Sequence, residues 1–363
     1  MKILVVAGLS GGHIFPALSF LETLKGNKKN IATLLILPKK VKQLNIPFLG
    51  DEVRYISISP IRLRLNLKNI SAIFNLLKGF LESLFILVRF RPDIVVGFGS
   101  IVCVPVFLIA WLFRIKTVIH EQNVIPGRAT HFLSMFAERI AISFVQTENY
   151  LRTFKSKIVF TGNPLRKDLT RYDKKTALNF FGFKHDRFTM LVMGGSQASH
   201  RINFGFLKAI SDSSYRFYLQ VIHLSGQEDF ELIKKSYSYL KIQAKVFIFL
   251  KEMGFAYSAS DLIISRAGAT TIAEVIFYKI PAILIPYPFA YQHQLANALI
   301  LQKLGTAFII KDDELETDRL RKIMEDLIRD PERLKKMASG YSGIYIPEAN
   351  KILMNEVLSL MIS

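Results

Sequence analysis

The chain has 363 residues, 50% of them hydrophobic, with 48 Lys and Arg against 29 Asp and Glu and a formal net charge of +19. This composition excludes a disordered protein, and the length favours two domains. A single cysteine, Cys103, excludes an internal disulfide, and the apolar run at 101–113 is shorter than the roughly 20 residues that cross a bilayer. Residues 1–7 do not resemble a signal peptide, so we expect a cytoplasmic protein without a membrane span.

The excess positive charge is concentrated in the first half of the chain. Residues 1–157 carry 21 Lys and Arg against 8 Asp and Glu, a net charge of +13, whereas residues 158–363 carry 27 against 21, a net charge of +6. A basic surface binds nucleic acid, anionic lipid or an anionic substrate. Composition alone does not decide among these three kinds of partner.

Short β-branched or leucine-rich runs alternate with longer helical stretches, which is typical of βαβ units and a parallel sheet. The first series of predicted strands lies at 3–7, 32–37, 53–58, 94–97, 117–120, 139–142 and 157–160. The second series lies at 189–193, 218–224, 246–249, 262–265, 282–285 and 307–310. Each series opens with a strand that runs into a glycine-rich turn and a helix. We therefore predict an α/β protein with two Rossmann-like domains, joined at the turn-forming segment 162–166.

Three glycine-rich turns follow predicted strands, at 8–12, 97–100 and 194–197. Such a turn leaves backbone N–H groups at the positive end of a helix dipole, which suits a phosphate. The first turn matches neither the dinucleotide-binding fingerprint nor a P-loop. Any one of these turns has the alternative of being a tight corner between strand and helix. Three of them at strand ends favour a ligand site, because open α/β sheets bind ligands there.

Two polar features of the first half follow strand ends. His13 comes directly after the first glycine turn, where a helix N-terminus favours the neutral imidazole that accepts a proton. The alternative is a capping or packing histidine. The run of four polar residues at 120–123 indicates a surface site, or alternatively a polar exit from the strand into a loop.

In the second half, residues 265–274 follow an apolar strand and lead into a helix. Glu274 would lie about one and a half turns into that helix, where a carboxylate can accept two hydrogen bonds from a ribose diol. The alternative is an ordinary exposed helical glutamate. The segment 291–297 offers amide and imidazole groups suited to sugar hydroxyls. Neither paired cysteines nor an Asp-x-Asp signature occurs, so we expect no metal and no other required cofactor.

The segment 62–91 is both amphipathic and basic. Ile70, Phe74, Leu77, Leu81 and Leu84 form a helical stripe that can face the core. Other large apolar residues lie beside that stripe, so part of the apolar surface is expected to be exposed. Residues 54–91 also carry seven basic residues against one acid, which suits docking on an anionic lipid surface. The alternative is a doubly buried helix with an incidental basic rim.

Seven motifs between residues 8 and 298 resemble, in the same order, those of the MurG family of bacterial wall synthesis. They are GLSGGHIFPAL at 8–18, GFGSIVCVP at 97–105, HEQNVIPGRAT at 120–130, GNPLR at 162–166, GGSQAS at 194–199, SRAGATTIAE at 265–274 and QHQLANA at 292–298. The resemblance implies a GT-B glycosyltransferase fold, that is, two Rossmann-like domains facing a central cleft. We place these domains at 1–162, which faces acceptor and membrane, and 163–345, which binds the UDP-sugar. A C-terminal helix at 346–363 is expected to pack back on the first domain.

The resemblance also implies the reaction. It is an inverting transfer of N-acetylglucosamine from UDP-N-acetylglucosamine to the C4 hydroxyl of the muramyl sugar of lipid I, an undecaprenyl-linked diphosphate, which yields lipid II. Anionic inner-leaflet lipids, and other wall-synthesis and division proteins, are the further partners it suggests, at the cytoplasmic face of the bacterial inner membrane and without nucleic acid. The alternatives are a related GT-B enzyme that glycosylates diacylglycerol, a UDP-sugar epimerase and, more remotely, a basic nucleic-acid-binding protein.

Site residues follow from the matched motifs. His13 corresponds to the proposed general base and Glu121 to a supporting residue, while Leu250 would hold uracil through its backbone and Gln294 the sugar hydroxyls. Residues that would meet the diphosphates or other parts of the substrates are Ser10, Gly11, Gly12, Asn123, Arg166 and Ser196. The helix start that would take the donor diphosphate and ribose comprises Ala269, Thr270, Thr271, Ile272, Ala273 and Glu274. Membrane-facing residues would be Ile70, Phe74, Leu77, Phe80 and Trp111.

The sequence departs from the usual family pattern at three places. Leu9 and Ser10 occupy a loop that commonly reads GGTGGH, and Ser10 keeps the hydroxyl that threonine would supply. Ala198 stands where glycine is usual. Gln292 stands where an acidic residue is expected, so this position lacks that negative charge.

Overall fold

The structure is a computed structural model that describes residues 1–8, 10–26, 30–43, 52–59, 67–195, 198–289, 292–344 and 347–362. The chain divides into two compact units. The first unit comprises Met1–Arg166 and Pro347–Ser363, and the second comprises Lys167–Ile346. The first unit therefore ends four residues beyond the predicted position 162, within the turn-forming segment.

The first unit is built on a seven-stranded parallel sheet. Its strands are β1 (Lys2–Ala7), β2 (Ala32–Pro38), β3 (Val53–Ile56), β4 (Ile94–Phe98), β5 (Lys116–Glu121), β6 (Arg139–Ile142) and β7 (Ile158–Phe160). They lie in the order β3-β2-β1-β4-β5-β6-β7. The seven strands predicted for this half are confirmed. The strand order reverses between β1 and β4, the position at which open α/β sheets bind ligands beyond the strand ends.

Helices cover both faces of this sheet. They are α1 (Gly11–Lys25), α2 (Leu67–Phe90), α3 (Cys103–Leu112) and α4 (Arg128–Leu133), with 3₁₀ turns at Lys39–Gln43, Val145–Tyr150 and Arg152–Lys157. Two apolar clusters form the core, one on each face. In β1, Ile3 and Val5 point into one cluster and Leu4 and Val6 into the other, all four fully buried. This two-sided burial explains why the strands read as continuous apolar runs.

The second unit repeats this plan with a six-stranded parallel sheet. Its strands are β8 (Phe188–Met193), β9 (Leu219–Leu224), β10 (Gln243–Phe247), β11 (Leu262–Ser265), β12 (Ala282–Leu284) and β13 (Ala307–Ile309), in the order β10-β9-β8-β11-β12-β13. Its helices are α5 (Lys174–Phe181), α6 (His200–Ser211), α7 (Gly226–Leu240), α8 (Met253–Ala259), α9 (Ala269–Tyr278), α10 (His293–Lys303), α11 (Arg319–Arg329) and α12 (Pro331–Ser339), with 3₁₀ turns at Arg216–Tyr218 and Asp312–Glu316. The order reverses between β8 and β11.

The six strands predicted for the second half are present, with one shifted along the chain. The strand predicted at 246–249 begins at Gln243 and ends at Phe247. Ile248 and Phe249 are 43% and 60% exposed and lie outside the strand. The prediction followed apolar character, whereas pairing with β9 over Gln243–Phe247 sets the strand's actual limits.

A last helix, α13 (Ala349–Ile362), belongs to the first unit. It packs against α1, and Leu353, Val357 and Leu358 are part of the core cluster that contains β1. Asn350 Nδ2 donates to the backbone carbonyl of Leu165 at 2.8 Å. The chain therefore returns to its first unit after completing the second.

The orientation of α2 differs from the core-facing stripe considered from the sequence. Phe74, Leu77 and Leu81 are 67%, 59% and 69% exposed, so that interpretation is wrong. The buried face carries Ala72, Gly79, Ser83, Ile86 and Leu87. A Cβ on Gly79 would lie only 2.5 Å from the backbone oxygen of Ser57. The small residues therefore let the helix lie close to the segment after β3, a signal that a count of large apolar residues misses.

The same orientation decides which predicted membrane-facing residues are exposed. Phe74 and Leu77 are exposed on α2, and Trp111 is 56% exposed at the end of α3. Phe80 is only partly exposed, because it packs against the core cluster beneath α2. Ile70 lies on α2, but its side chain is not in the described part of the structure. Among the helices described, none has the length and apolar character needed to span a bilayer.

Candidate active site

The loop after β1 places His13 in the first turn of α1. The carbonyl of Ser10, the residue before the helix, accepts bonds from the N–H groups of His13 and Ile14, both at 3.0 Å. The Ser10 hydroxyl makes no capping bond, and its Oγ lies 2.7 Å from His13 Nδ1. When Nδ1 carries the ring proton and donates to Ser10 Oγ, Nε2 is the proton acceptor. In that tautomer Ser10 holds the imidazole with Nε2 as its acceptor atom.

The turn after β4 packs directly on this loop. Gly99 and Ser100 both have φ of 74°, in the left-handed region that favours glycine. A Cβ on Gly8 would lie 2.5 Å from Ser100 Cβ, and a Cβ on Gly99 would lie 3.4 Å from His13 Nε2. Glycine at these two positions lets both loops approach the imidazole. The predicted residues Ser10, Gly11, Gly12 and His13 thus share one site with the turn at 97–100.

Glu121 organises the loop that follows β5. Its side chain is 2% exposed. Glu121 Oε1 accepts from the backbone N–H of Asn123 at 2.9 Å and from Asn123 Nδ2 at 3.2 Å, while Oε2 accepts from the N–H of Gly127 at 3.0 Å. Gly127 precedes α4, so one carboxylate holds both Asn123 and the start of that helix. Glu121, predicted as a supporting residue, therefore contacts the predicted site residue Asn123 directly.

The neighbouring His120 is a buried, neutral histidine. Its Nε2 lies 3.0 Å from the carbonyl oxygen of Gly162, which can only accept, so Nε2 carries the proton. Nδ1 then accepts from Gln122 Nε2 at 3.0 Å. Burial lowers the pKa of His120 from 6.5 to about 4. This residue therefore ties β5 to the segment after β7 and is not a proton carrier near neutral pH.

Arg166 is half-buried at the end of the first unit, with its guanidinium 5.4 Å from the ring centre of Phe15 on α1. The preceding residue, Leu165, is fixed by bonds to its carbonyl from Ser19 Oγ and Asn350 Nδ2. Gly162 has φ of 78°, and a Cβ there would collide with the ring of Pro347. These contacts hold the segment 162–166 against α1 and α13, which positions Arg166 near the N-terminal part of α1.

In the second unit, the glycine loop after β8 contains Ala198 in the left-handed region, with φ of 56°. A Cβ on Gly226 would lie 2.4 Å from Ala198 Cβ, so glycine at the first position of α7 makes room for the alanine methyl. Ser199 precedes α6 and accepts from the N–H of Ile202 at 3.4 Å. The predicted site residue Ser196 lies outside the described residues.

Arg266 connects the loops at the carboxyl end of the second sheet. Its side chain is 8% exposed and pairs with Asp312 after β13, with NH1 2.5 Å from Asp312 Oδ1. NH1 also donates to the carbonyl of Ile285 after β12 at 3.2 Å, and NH2 donates to Ser199 Oγ at 2.8 Å. Four loops are therefore joined by one guanidinium. Arg266 lies within the motif at 265–274, but its role could not be predicted because its partners lie far away in sequence.

The helix start after β11 contains the predicted diphosphate and ribose residues. Gly268 precedes α9, whose first turn carries no acidic residue. Ala269, Thr271 and Ile272 are buried, and Thr270 and Ala273 are half-buried. Glu274 is only 8% exposed, and its Oε2 accepts from the hydroxyl of Tyr257 at 2.5 Å. The alternative of an exposed helical glutamate is therefore wrong.

Gln294 joins the loops that follow β11 and β12. Its Oε1 accepts from the backbone N–H of Ala267 at 3.2 Å and from that of Tyr287 at 2.9 Å. With Oε1 fixed in this way, the amide presents Nε2 as its donor.

Gln292 precedes α10, is exposed and has φ of 65°. Leu250 is 4% exposed and lies between β10 and α8.

A buried polar network that was not predicted from the sequence lies behind the glycine loop of the second unit. His223 Nε2 donates to Asn203 Oδ1 at 3.0 Å, and its Nδ1 accepts from the Tyr237 hydroxyl at 2.7 Å. Asn203 in turn donates to Asp229 at 2.7 Å. Burial lowers the pKa of His223 from 6.5 to about 3. The network, in which His223 is neutral, joins β9 to α6 and α7.

The described residues do not form a recognisable metal site. Within the described ranges, no group of three or more His, Cys, Asp or Glu side chains is arranged to hold a metal ion. Histidines 120 and 223 are engaged in the bonds given above. The groups that the two sites offer to an anion are therefore guanidinium, hydroxyl, amide and backbone N–H groups.

Comparison with known proteins identifies related chains over nearly the full length. The glycosyltransferase family 28 N-terminal domain matches residues 3–142, and the family's C-terminal domain matches residues 189–350. The UDP-N-acetylglucosamine--N-acetylmuramyl-(pentapeptide) pyrophosphoryl-undecaprenol N-acetylglucosamine transferase of Halothermothrix orenii is 37% identical and covers 98% of both chains. The protein of the same name from Natranaerobius thermophilus is 35% identical over 96% of this chain and 97% of its own.

Solved structures agree with these sequence matches. The crystal structure of Acinetobacter baumannii MurG has a TM-score of 0.74 and 25% identity over 99% of each chain. The UDP-GlcNAc 2-epimerase of Neisseria meningitidis has a TM-score of 0.66 at 15% identity over 99% of this chain and 100% of its own, which shows the fold alone. The predicted GT-B fold class is thereby confirmed. The chain belongs to the MurG family of N-acetylglucosaminyltransferases, within glycosyltransferase family 28.

Proposed function

We propose that this protein transfers N-acetylglucosamine from UDP-N-acetylglucosamine to the C4 hydroxyl of the muramyl sugar of lipid I, with inversion at the sugar, and so forms lipid II. The observation that carries the chemistry is the Ser10–His13 pair at the start of α1, 2.7 Å between Oγ and Nδ1, in a chain of this family. It supplies a base at the switch point of the first sheet, next to glycine turns that leave room for substrate.

His13 acts as the general base of the transfer. An inverting reaction needs one base that takes the proton of the acceptor hydroxyl while that oxygen attacks the opposite face of the donor sugar. Ser10 sets the ring so that Nε2 faces the turn at Gly99. Asn123, held through two atoms by Glu121, binds the acceptor, so Glu121 acts on the reaction through Asn123.

The donor is bound by the second unit. The start of α9, from Ala269 to Ala273, takes the diphosphate through backbone N–H and threonine hydroxyl groups, because no acid in its first turn opposes an anion. Glu274 accepts from the ribose hydroxyls, and the backbone of Leu250 holds uracil. Gln294 donates its Nε2 to the sugar hydroxyls, since its Oε1 already accepts from Ala267 and Tyr287. Ser196 completes this set on the basis of its motif.

Departure of UDP requires stabilisation of two phosphate charges. We assign this to helix N-termini and to Arg166, without a metal and without any other cofactor. A guanidinium binds phosphate oxygens through paired N–H groups, and a helix start adds the positive end of its dipole. The first turn of α1, like that of α9, carries no acidic residue, so Gly11 and Gly12 can present backbone N–H groups to the acceptor diphosphate.

The acceptor is a lipid, and the first unit offers an apolar surface to a membrane. The α2–α3 apolar surface consists of the exposed residues Ile73, Phe74, Leu77, Leu81, Leu84, Phe85, Val88, Trp111, Leu112 and Phe113. Two of the seven basic residues counted within 54–91, Lys78 and Arg89, are exposed on α2, and Arg114 is exposed after α3. Apolar groups together with cations suit an anionic leaflet, where each nearby cation contributes about 1 kcal/mol. We therefore place the protein peripherally at the cytoplasmic face of the inner membrane, where other wall-synthesis and division proteins are candidate partners.

The proposed reaction is tested by incubating the protein with radiolabelled UDP-N-acetylglucosamine and a short-chain lipid I analogue. Label in the lipid fraction is expected, and it should disappear when the analogue is omitted. Parallel reactions contain diacylglycerol in place of lipid I, or no acceptor. Label that reaches only diacylglycerol would show that diacylglycerol, and not lipid I, is the acceptor. Conversion of the free nucleotide sugar to its 2-epimer would show that the protein is an epimerase and not a glycosyltransferase. Salt-dependent binding of nucleic acid at submicromolar protein would instead revive the nucleic-acid alternative.

A further inference from the structure

A hydrogen bond from Tyr257 fixes one oxygen of the Glu274 carboxylate. Tyr257 lies on α8 and Glu274 on α9, with 2.5 Å between the phenolic oxygen and Oε2. Their side chains are almost completely buried, with Tyr257 1% and Glu274 8% exposed. Because the two residues come from different helices, this bond sets the carboxylate relative to the body of the second unit. It is not a contact local to α9.

Packing alone does not explain why residue 257 carries a hydroxyl group. Tyr257 is among the largest fully buried side chains, and a phenylalanine ring would fill nearly the same space. A buried hydroxyl costs free energy unless it is bonded, and a buried carboxylate costs more. A bond from a hydroxyl to a carboxylate is short and stronger than a neutral one. The hydrogen bond therefore satisfies both buried polar groups and keeps the carboxylate in one orientation.

The surroundings of this pair point toward the donor-binding loops. The Tyr257 hydroxyl lies 3.8 Å from the sulfur of Met193, the last residue of β8 before the glycine loop. Its ring stacks on Tyr278 with 4.8 Å between centres. Tyr278 lies one turn after Glu274 on α9, but its hydroxyl donates to the carbonyl of Thr170 at 3.0 Å. The two tyrosines thus share one stack and differ in what their hydroxyls hold.

We propose that Tyr257 is a positioning residue for donor recognition, whose hydroxyl holds Glu274 Oε2 so that the carboxylate is oriented to accept hydrogen bonds from the ribose diol. This inference rests on the proposed function, in which Glu274 binds the ribose. Tyr257 does not touch the nucleotide in this account. It acts by limiting the orientations of Glu274, so its effect is confined to ligands that have ribose hydroxyls.

The test compares the dissociation constants of UDP and 2′,3′-dideoxyuridine diphosphate by calorimetry, using the full chain. A site built around ribose hydroxyls should prefer UDP by about tenfold or more. Glu274→Ala should reduce this preference to about one. Tyr257→Phe should reduce it by about threefold to tenfold and leave the affinity for the dideoxy nucleotide unchanged within about twofold. Tyr278→Phe is the matched control, because it removes a hydroxyl from the same stack and should leave the preference intact.

Different outcomes test the role of Tyr257 and the ribose-binding role of Glu274 separately. No preference in the unmodified protein, or a full preference in Glu274→Ala, would remove Glu274 from the ribose and Tyr257 with it. A preference lost in Glu274→Ala but kept in Tyr257→Phe would overturn the role of Tyr257 alone. So would an equal loss of affinity for both nucleotides, which is what a structural defect produces.

A rescue variant covers the case in which Tyr257→Phe is unstable. Placing 4-aminophenylalanine at position 257 keeps both the ring and an N–H donor near Glu274 Oε2. Recovery of the preference for UDP is expected with this residue. A folded variant that carries the donor and still lacks the preference would contradict the inference.

Discussion

Glu121→Gln tests whether the carboxylate of Glu121 organises the acceptor loop after β5 in addition to stabilising the fold of the first unit. The carboxylate accepts three hydrogen bonds, two from Asn123 and one from the N–H of Gly127. A glutamine of the same shape can keep its oxygen toward Asn123, but its NH₂ group then faces the N–H of Gly127. Two donors oppose each other in a site that is 2% exposed.

The magnitude follows from these bonds. Losing one bond to a charged acceptor costs about 1.5–3 kcal/mol, and leaving a buried donor unsatisfied adds about 1–3 kcal/mol. We expect the first unit to lose about 2.5–6 kcal/mol of unfolding free energy, or roughly 5–24 °C in Tm. Because Asn123 and the start of α4 move with the carboxylate, kcat/KM for the lipid I analogue should fall by about 10- to 100-fold. The affinity for UDP should not change.

The matched control is Glu138→Gln. Glu138 accepts from the backbone N–H of Thr117 at 2.6 Å and from its hydroxyl at 3.1 Å, at the opposite end of β5. It therefore anchors the same strand, away from the acceptor loop, and should lower Tm without lowering kcat/KM in the temperature range where the protein stays folded. Equal losses of activity in both variants, or unchanged activity in Glu121→Gln, would refute the role given to Glu121.

Three further outcomes are expected. His13→Ala should lower kcat by about 100-fold or more, with the dissociation constant of UDP-N-acetylglucosamine unchanged, and unchanged turnover would reject His13 as the base. Burial lowers the pKa of His120 to about 4 and that of His223 to about 3, so the unfolded chain binds more protons below pH 6.5 and stability falls as the pH decreases. Each unit should lose about 2 kcal/mol from its histidine between pH 7 and pH 5, measured by urea unfolding, and a smaller decline in His223→Gln would identify the second unit's share. Replacing Phe74 and Leu81 by serine should reduce binding to anionic vesicles by about tenfold or more in flotation, and binding that ignores lipid charge would contradict the membrane assignment.

The inner strands of both sheets could be predicted from the sequence because they are buried on two faces. Continuous apolar runs between turn signals mark such strands, as β1 shows with five consecutive fully buried residues. The orientation of α2 could not be predicted in the same way. It carries large apolar residues on both sides, and the small residues Ala72, Gly79 and Ser83 decide which side meets the sheet.

Some features of the two candidate sites could likewise be predicted from the sequence, and others could not. Residues that follow a strand end in one motif, such as Ser10 and His13, could be grouped because their closeness is local. Contacts between distant segments could not be found. Arg266 meets Asp312 across 46 positions, and Glu274 is buried because Tyr257 from another helix satisfies it. A single sequence holds no signal for either pairing.

The central claim is an inverting transfer to the C4 hydroxyl of the muramyl sugar. It is tested most directly by isolating the product formed from UDP-N-acetylglucosamine and the lipid I analogue, and by assigning its new glycosidic bond by NMR. The account predicts a β-linked N-acetylglucosamine on the C4 oxygen, formed by the unmodified protein and reduced about 100-fold in His13→Ala. An α-linked product, a bond to another hydroxyl, or UDP release without a glycosylated lipid would contradict it.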